Sequence, residues 1–530
     1  MKQKLIATIW GLAAAALGTA AAAAAAAPLT VRTSDGALEG VMQGETRAFL
    51  GVPFAAPPVG GNRWRAPQPP APWKGTRPAR QFGASCMQPW PAPHFGPYTS
   101  EFVDVPPVSE DCLFLNVWTP ASPTGALPVL VWIHGGGFGG GAGAVPIYDG
   151  GRLAARGIVV VTLNYRVGPF GFLAHPQLSA QSPRHTSGNY GILDQIAALQ
   201  WVKHNIANFG GDPGQVTIAG QSAGAISVNA LRIAPAAAGL FQRAIAQSGS
   251  GMGVRSPALA EAEHAGQQFA AWLGATDVAA LRALPAQKIQ TAVFMPFDAP
   301  RKNSPPPIRF QTTVDGLVLP SDPEDPAARV ITAVPLLTGF TADENFMAAA
   351  HTSAEFEKAV RARFGSHADR LLALYPHASD AQAAASLHTL ERDRCMTSLL
   401  LWSHEYLRHN GTPLFLYRFD HAPPDPSGSG FGAFHTAEVP YLFGTLDPAR
   451  RAYGDADRAI SRQLQDHWLA FMRQGEPGST GPSAWSRATA TGTTVMRLGD
   501  APGSGQAVST PERLDALLAY HRDGGALGIF

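Results

Sequence analysis

The sequence contains few cysteines, few charged residues and almost no long apolar run. Of its 530 residues, 3 are cysteine and 15% are charged, with 40 basic against 39 acidic side chains. A formal net charge of +1, without any block of like charge, argues against a nucleic-acid-binding surface and against an acidic tail. We therefore expect a neutral globular protein that has no nucleic-acid partner.

Only the first residues form a long apolar segment. Lys2 and Lys4 precede an apolar stretch at 5–17, which an alanine run extends. This order is typical of a secretory signal peptide; a membrane anchor is the alternative, but the clearly apolar part is short. We predict a signal peptide at 1–26 and a secreted or periplasmic protein, with a single domain at 28–530 and no stable membrane insertion of the mature chain.

Export to an oxidising compartment would allow the cysteines to pair. Cys86 and Cys112 lie in one proline-rich segment, whereas Cys395 stands alone in an apolar stretch. We expect a Cys86–Cys112 disulfide, with a model-dependent gain of about 3–4 kcal/mol for such a loop. Cys395 is expected to be a buried free thiol, since nothing near it in the sequence would lower its pKa.

The middle of the chain alternates apolar runs with helical patterns. Runs typical of buried strands occur at 128–133, 158–163 and 215–219, and helical periodicity occurs at 193–206 and 460–471. Strands that alternate with helices indicate an α/β fold built around a parallel sheet. Neither an internal repeat nor a linker between domains is evident in the sequence.

The pentapeptide 220–224, Gly-Gln-Ser-Ala-Gly, matches the pattern Gly-x-Ser-x-Gly around Ser222. In a chain with 56 glycines, ~0.3 such matches would arise by chance, so the surrounding sequence has to support the motif. A β-rich run at 215–219 precedes it, and a small-residue helix start at 223–228 follows it. A sharp turn between strand and helix would expose the Ser222 hydroxyl as a nucleophile, whereas the alternative is a glycine-rich turn without catalytic role.

A glycine run directly follows the strand predicted at 128–133. Glycines can present consecutive N–H donors to the oxyanion that develops during acyl transfer. We predict an oxyanion hole formed by the N–H groups of Gly136, Gly137 and Ala223. A phosphate-binding loop is the alternative, but the lysine and hydroxyl of a Walker loop are missing. His134, which begins the run, is expected to be structural.

Together with three further segments, these motifs resemble the type B carboxylesterase family, which includes cholinesterases and bacterial para-nitrobenzyl esterases. The segments are 49–60 (FLGVPFAAPPVG), 110–117 (EDCLFLNV) and 189–195 (NYGILDQ), in the family's order. The resemblance covers nearly the whole mature chain. It implies an α/β-hydrolase fold, in which helices flank a central, mostly parallel, twisted sheet and loop-rich insertions form an active-site gorge. Cys86 and Cys112 match the family's first disulfide.

The resemblance also implies the other catalytic residues, in the chain order serine, acid, histidine. Spacing alone cannot choose among 16 histidines, but the segment around His435 matches the family's catalytic-histidine segment. The loop at 339–345 matches the family's acid loop, in which the second carboxylate is used, so Glu344 is favoured over Asp343. Ser248 resembles a family serine that supports the acid, with a plain packing role as the alternative.

The resemblance therefore implies a carboxylic-ester hydrolase that uses a Ser-His-Glu triad and an acyl-enzyme, with a small-molecule ester as its partner and no metal or cofactor. One alternative is an amidase or carbamate hydrolase with the same triad. Another is a non-catalytic, cholinesterase-like binding protein, but such proteins lack the complete triad. A basic cluster of Arg301, Lys302 and Arg309 would favour an acidic ester if it lines the entrance, although a solvated loop is the commoner role.

The segment between Cys86 and Cys112 is rich in aromatic residues. None of them is an evident match for the tryptophan on which cholinesterases stack a quaternary ammonium. Phe102 lies near that point, but phenylalanine is a weaker cation-binding face than tryptophan. The sequence thus favours a general or aryl esterase over a cholinesterase. The aromatic residues concerned are Trp90, Phe95, Tyr98 and Phe102.

Overall fold

The computed structural model describes most of the chain after residue 28. The described ranges are 29–89, 96–291, 308–345, 352–447, 449–478 and 484–529. The predicted signal peptide at 1–26 lies outside them.

Sixteen strands are found in the described ranges, and eleven of them form one sheet. In chain order they are β1 (Thr30–Arg32), β2 (Ala37–Glu39), β3 (Val41–Gln43), β4 (Thr46–Pro53), β5 (Thr76–Pro78), β6 (Ser85–Cys86), β7 (Val108–Ser109), β8 (Phe114–Pro120), β9 (Leu127–Ile133), β10 (Val159–Leu163), β11 (Gly211–Gln221), β12 (Arg243–Gln247), β13 (Leu336–Thr341), β14 (Leu414–Phe419), β15 (Thr494–Leu498) and β16 (Gly503–Gln506). The large sheet has the order β16-β15-β14-β13-β12-β11-β9-β10-β8-β4-β3.

The centre of this sheet is parallel and buried on both faces. The seven strands from β15 to β10 in the sheet order pair in parallel, and antiparallel strands extend both sides. Every residue of β9 and of β10 is buried, which is typical of strands covered by helices on both faces. Successive side chains of β9 enter opposite cores, with Val131 in one core and Trp132 in the other. The predicted α/β class is confirmed.

Fifteen α-helices within the described ranges cover the sheet and its loops. They are α1 (Ser100–Val103), α2 (Gly151–Ala154), α3 (Gly168–Phe172), α4 (Pro176–Gln181), α5 (Tyr190–Asn205), α6 (Ala223–Ile233), α7 (Leu259–Trp272), α8 (Val278–Ala283), α9 (Ala286–Gln290), α10 (Ser353–Phe364), α11 (Ala368–Leu374), α12 (Asp380–Asn410), α13 (Val439–Phe443), α14 (Asp455–Gln474) and α15 (Pro511–Arg522). None of the helices in these ranges is both long and apolar enough to span a bilayer.

The elements predicted from periodicity are present, with shifted ends. The runs at 128–133 and 158–163 correspond to β9 and β10, and the helical patterns lie within α5 and α14, apart from the last residue of the first one. The strand expected at 215–219 is longer, because β11 begins at Gly211 and pairs with Leu127 before a register shift. A register shift of this kind leaves no alternating pattern in the sequence.

The carboxyl ends of the parallel strands bring distant segments to one edge of the sheet. The glycine run at 134–137 follows β9, Ser222 follows β11, and Ser248 follows β12. Glu344 follows β13, and His435 lies in the loop after β14. Ligands of open α/β sheets bind at this edge, so the topology alone gathers the predicted catalytic residues there.

Helix α12 connects the acid loop to the last described segment of the chain. The guanidinium of Arg394, which is buried, donates to the carbonyl groups of Leu527 and Gly528 and pairs with Glu391. Glu391 in turn accepts a hydrogen bond of 2.9 Å from Asn345, the residue after Glu344. The position of the acid loop is therefore linked to residues near the end of the chain.

Candidate active site

Ser222 lies in a strained turn between β11 and α6. Its backbone has φ +58° and ψ −125°, outside the regions that non-glycine residues ordinarily adopt. Strain of this kind persists only where the surrounding structure fixes it. A Cβ at Gly220 would lie 2.5 Å from the backbone of Gly224, and a Cβ at Gly224 would lie 2.1 Å from the Ile133 carbonyl oxygen. The two glycines of the motif therefore let α6 close onto the end of β9.

The predicted oxyanion donors lie beside this turn. A Cβ at Gly135 would be 3.2 Å from the Cβ of Ser222, so the glycine run contacts the serine turn directly. Gly136 and Gly137 are exposed and have φ values of +107° and +61°. In the described part of the chain, the N–H groups of Gly136, Gly137 and Ala223 donate to no protein acceptor. All three remain available to an oxygen of a bound molecule.

His435 and Glu344 form a buried pair. Nδ1 of His435 hydrogen-bonds to Oε2 of Glu344. Oε1 of the same carboxylate accepts from the Ser248 hydroxyl at 2.5 Å and from the Thr341 N–H at 2.7 Å. Both carboxylate oxygens are thus occupied, which fixes the acid and keeps the imidazole proton on Nδ1. Ser248, whose supporting role was one of two alternatives, does contact the acid.

The other ring nitrogen of His435 points to the serine turn. Nε2 lies 3.0 Å from the side-chain nitrogen of Gln221, the residue that precedes Ser222. With the proton on Nδ1, Nε2 is an acceptor, so the Gln221 amide is the donor. Sequence reasoning missed Gln221 because the motif leaves its position unrestricted. The only sequence signal for Gln221 was its position next to Ser222, the predicted nucleophile.

The pKa of His435 reflects two opposed effects. Burial disfavours the imidazolium, but the charge and hydrogen bond of Glu344 outweigh burial and raise the pKa of His435 above its ordinary value. Glu438 is a second buried carboxyl near the imidazole, and burial raises its pKa to about 7 although Gln247 donates to it at 2.9 Å. The sequence analysis did not single out Glu438.

Asp343 holds the acid loop against the histidine loop and has no contact with the imidazole. Its carboxylate accepts from the Ala433 N–H at 2.9 Å, and its own N–H donates to the Ala433 carbonyl at 3.0 Å. Arg392 and His388 approach the carboxylate to 3.3 Å and 3.4 Å. Although burial opposes them, these two partners keep the pKa of Asp343 below its ordinary value. Asp343 is the loop-bound neighbour that the sequence suggested.

His134 supports the glycine run. Its ring stacks on Tyr165 with centroids 4.3 Å apart, and Nδ1 lies 2.8 Å from the Gly135 carbonyl oxygen. Burial lowers the pKa of His134 to about 4, so the ring is neutral near pH 7. These contacts agree with the structural role expected for this histidine.

The segment between the first two cysteines reaches the histidine loop. The sulfur atoms of Cys86 and Cys112 lie 2.08 Å apart. Between these two cysteines in the chain, the Tyr98 hydroxyl donates to the His435 carbonyl at 2.9 Å. Tyr98 also packs edge to face on Phe102, with ring centroids 5.8 Å apart. The segment between Cys86 and Cys112 therefore contacts His435 at the backbone carbonyl of that histidine.

Several residues named from the sequence play no part in the described site. Cys395 is buried on α12, and burial raises the pKa of its thiol to about 12, so it is an inert thiol at neutral pH. Within the described ranges, no cluster of three or more His, Cys, Asp or Glu side chains could hold a metal ion. Arg309 is exposed. Trp90, Phe95, Arg301 and Lys302 lie outside the described residues.

Replacing the acid should change the proton affinity of the histidine. Glu344→Gln is expected to lower the pKa of His435, because an amide can still accept from Nδ1–H but carries no charge to stabilise the imidazolium. NMR titration of histidine-labelled protein measures this pKa. Asp515→Asn, at an exposed carboxylate on α15, is the control and should leave it unchanged. An unaltered His435 pKa in Glu344→Gln would contradict the electrostatic role of the acid.

Comparison with known proteins identifies the family. The model of the Carboxylesterase family matches residues 27–514. Fumonisin B1 esterase of Sphingopyxis macrogoltabida is 38% identical over 502 residues, which cover 90% of this chain and 88% of that protein. Para-nitrobenzyl esterase of Bacillus subtilis is 36% identical over 467 residues, which cover 85% of this chain and 90% of that protein.

Solved structures agree with these sequence matches. A structure of PNB esterase superposes with a TM-score of 0.74 and 32% identity, covering 93% of this chain and 99% of that one. The α/β-hydrolase fold implied by the resemblance is thereby confirmed. The chain belongs to the carboxylesterase family and is a hydrolase of carboxylic esters.

Proposed function

We propose that Ser222, His435 and Glu344 carry out the ester hydrolysis through an acyl-enzyme intermediate. The observation that carries the proposal is the Glu344–His435 pair, whose second ring nitrogen, Nε2, points to the strained turn that holds Ser222. The residues come from three different strand ends, and a purely structural histidine has no need of a fixed carboxylate on one nitrogen and a serine turn at the other.

In the first step, the Ser222 hydroxyl attacks the ester carbonyl while Nε2 of His435 accepts its proton. The Nδ1 proton stays between His435 and Glu344, and the carboxylate stabilises the imidazolium that forms. Because the Gln221 amide occupies Nε2 in this structure, the amide has to move away from the imidazole before Ser222 transfers its proton.

The negative charge of the tetrahedral intermediate falls on the former carbonyl oxygen. The N–H groups of Gly136, Gly137 and Ala223 lie beside the serine and have no protein acceptor within the described residues. Each such donor typically accounts for about 10²–10³ in kcat. Since these donors belong to the backbone, their direction depends on the conformation of the turns that carry them.

The imidazolium then protonates the departing alcohol, which leaves an acyl group on Ser222. A water molecule enters, loses a proton to His435 and attacks the acyl carbon. The bond between that carbon and the Ser222 oxygen then breaks, His435 returns the proton to Ser222, and the carboxylic acid leaves. Only the neutral imidazole can act as the base. Since Glu344 raises the pKa of His435, the acid limb of kcat/KM should lie above the pH expected for an unperturbed histidine, with activity rising as pH increases through that limb.

Labelling at the serine tests the proposal. Ser222→Ala is expected to lower kcat by at least about 10³-fold on a para-nitrophenyl ester, because the nucleophile is lost. A fluorophosphonate probe followed by peptide mapping should label Ser222 in the wild type and label His435→Ala more slowly. Ser429→Ala, at an exposed loop serine, is the control. A folded wild-type protein that remains unlabelled at Ser222 would contradict the mechanism.

We also propose that the substrate is a neutral alkyl or aryl ester and not a choline ester. Phe102, the nearest aromatic residue to the choline-stacking point of cholinesterases, is buried. The guanidinium of Arg451 already lies over its ring, 5.2 Å from the centroid, and Phe434 packs at its edge with centroids 5.6 Å apart. A ring face that carries one cation does not attract a second.

A comparison of matched thioesters tests this preference. We expect kcat/KM for acetylthiocholine to be at least about tenfold lower than for the uncharged thioacetate of the same length, because the Phe102 ring, already covered by Arg451, does not offset desolvation of the quaternary ammonium. Equal or greater kcat/KM for the cationic ester would refute the proposal.

We further propose that residues 1–26 are a secretory signal peptide, that the protein is secreted or periplasmic, and that 28–530 form one catalytic domain. The basic, apolar and small-residue order of the first residues supports export. The family match over 27–514 supports a single catalytic unit. A disulfide between Cys86 and Cys112 is the pairing that an oxidising compartment would allow.

Removal of one cysteine should destabilise the exported protein. Cys86→Ser is expected to lower the free energy of unfolding by about 2–4 kcal/mol, because the unfolded chain loses a cross-link that restricts it. Urea unfolding of protein purified from the periplasm or the medium measures the change. With dithiothreitol, wild type and variant should unfold at the same urea concentration. Identical curves in non-reducing buffer would show that the disulfide does not form.

A further inference from the structure

A glutamine next to the disulfide holds the oxyanion loop by its backbone. Gln88 lies two residues after Cys86, and its side chain is buried. Its Oε1 accepts from the Gly141 N–H at 2.7 Å, and its Nε2 donates to the Gly141 carbonyl at 2.9 Å. The same nitrogen donates to the Cys86 carbonyl at 3.0 Å. The amide thus pairs with Gly141 as a second peptide group would.

Gly141 ends the turn that contains the oxyanion donors. The Gly136 carbonyl accepts from the N–H groups of Gly139 and Gly140 at 3.0 Å and 3.1 Å. Gly141 has φ +102°, and a Cβ there would lie 2.4 Å from Nδ1 of His134. The turn therefore starts at His134 and ends at Gly141, which packs against the His134 ring. Gln88 holds Gly141 in this position.

The donors themselves have no such support. Gly136 and Gly137 are exposed, and their N–H groups make no hydrogen bond within the described residues. Their direction is set by the hydrogen bonds to the Gly136 carbonyl inside the turn and by the two ends of the turn. One end continues from β9, while the other depends on the hydrogen bonds between Gln88 and Gly141.

We propose that Gln88 is a positioning residue for the oxyanion hole, an inference that rests on the mechanism proposed above. Stabilisation of an oxyanion requires donors that are oriented before the reaction, and errors of about 1 Å reduce it strongly. Because the ground-state ester gains less from these donors than the tetrahedral state does, loss of Gln88 lowers kcat and leaves KM nearly unchanged.

The same disulfide-closed segment also touches the base. Tyr98 donates to the His435 carbonyl, whereas the Gln88 side chain pairs with Gly141 of the oxyanion loop. A substitution at Gln88 therefore affects the oxyanion loop without affecting the histidine loop, whereas loss of the disulfide would affect both. A variant at Gln88 should leave the acid limb of the pH profile, set by His435, where it is in the wild type.

The test uses the full chain with Gln88→Ala and Gln88→Glu. For Gln88→Ala, we expect kcat on a para-nitrophenyl ester to fall about 10–100-fold while KM stays within about threefold. The rate of labelling by a fluorophosphonate should fall in parallel. Gln88→Glu should keep near-wild-type kcat while the carboxyl is protonated, because it then has one donor and one acceptor. As pH rises, the introduced carboxyl ionises and is repelled by the carbonyl oxygens of Cys86 and Gly141. In this variant alone, kcat should therefore fall at alkaline pH.

Gln242→Ala is the matched control. Gln242 accepts from the Val216 N–H at 2.8 Å, toward the amino end of the sheet, so its loss affects stability without reaching the site. We expect its kcat to stay within about twofold of wild type.

Two results would overturn the inference. One is Gln88→Ala with kcat within threefold of wild type, and the other is a loss of kcat no greater than in Gln242→Ala at equal loss of thermal stability. If Gln88→Ala fails to fold, absence of the fall in kcat at alkaline pH in Gln88→Glu would do the same. Activity that survives in Ser222→Ala would instead reject the proposed mechanism, so the two failures are distinguishable.

Discussion

The close contact between the start of α6 and the end of β9 is the constraint on which the site depends. Only a residue without a side chain fits at Gly224, because a Cβ would lie 2.1 Å from the Ile133 carbonyl oxygen. This approach brings the N–H of Ala223 beside the glycine run and forces Ser222 to a positive φ of +58°. The position of Ser222 beside the predicted oxyanion donors thus depends on a steric condition that glycine meets.

The strained backbone of the protein is concentrated around this site. Of the six non-glycine residues with positive φ in the described ranges, four border it. Phe138 follows the predicted oxyanion glycines, Ser248 hydrogen-bonds to Glu344, Thr436 follows His435, and Ser222 is the proposed nucleophile. Such conformations persist where the remaining structure over-determines them, and here fully buried parallel strands and two large cores supply that support.

The sequence predicts the central strands of the sheet better than the hydrogen bonds within the site. Strands β9 and β10 are predictable because both faces are covered and the runs are continuously apolar. Ser222 follows from its strand-turn-helix context, whereas Glu344 and His435 needed the family resemblance, since no local spacing marks them. Gln88 and Gln221 were not predictable. Their partners lie 53 and 214 residues away in the chain, and single hydrogen bonds over such separations leave no periodic pattern.

The contacts of Arg394 make the acid loop sensitive to how much of the chain has been synthesised. Its carbonyl partners at Leu527 and Gly528 come 133 and 134 residues after it, so they leave the ribosome well after the acid loop does. Until they arrive, a buried guanidinium next to the Glu391–Asn345 hydrogen bond lacks two acceptors. A chain terminated at the end of α15 would contain every residue of the proposed triad and still hold its acid loop less firmly, so the site depends on residues synthesised well after His435.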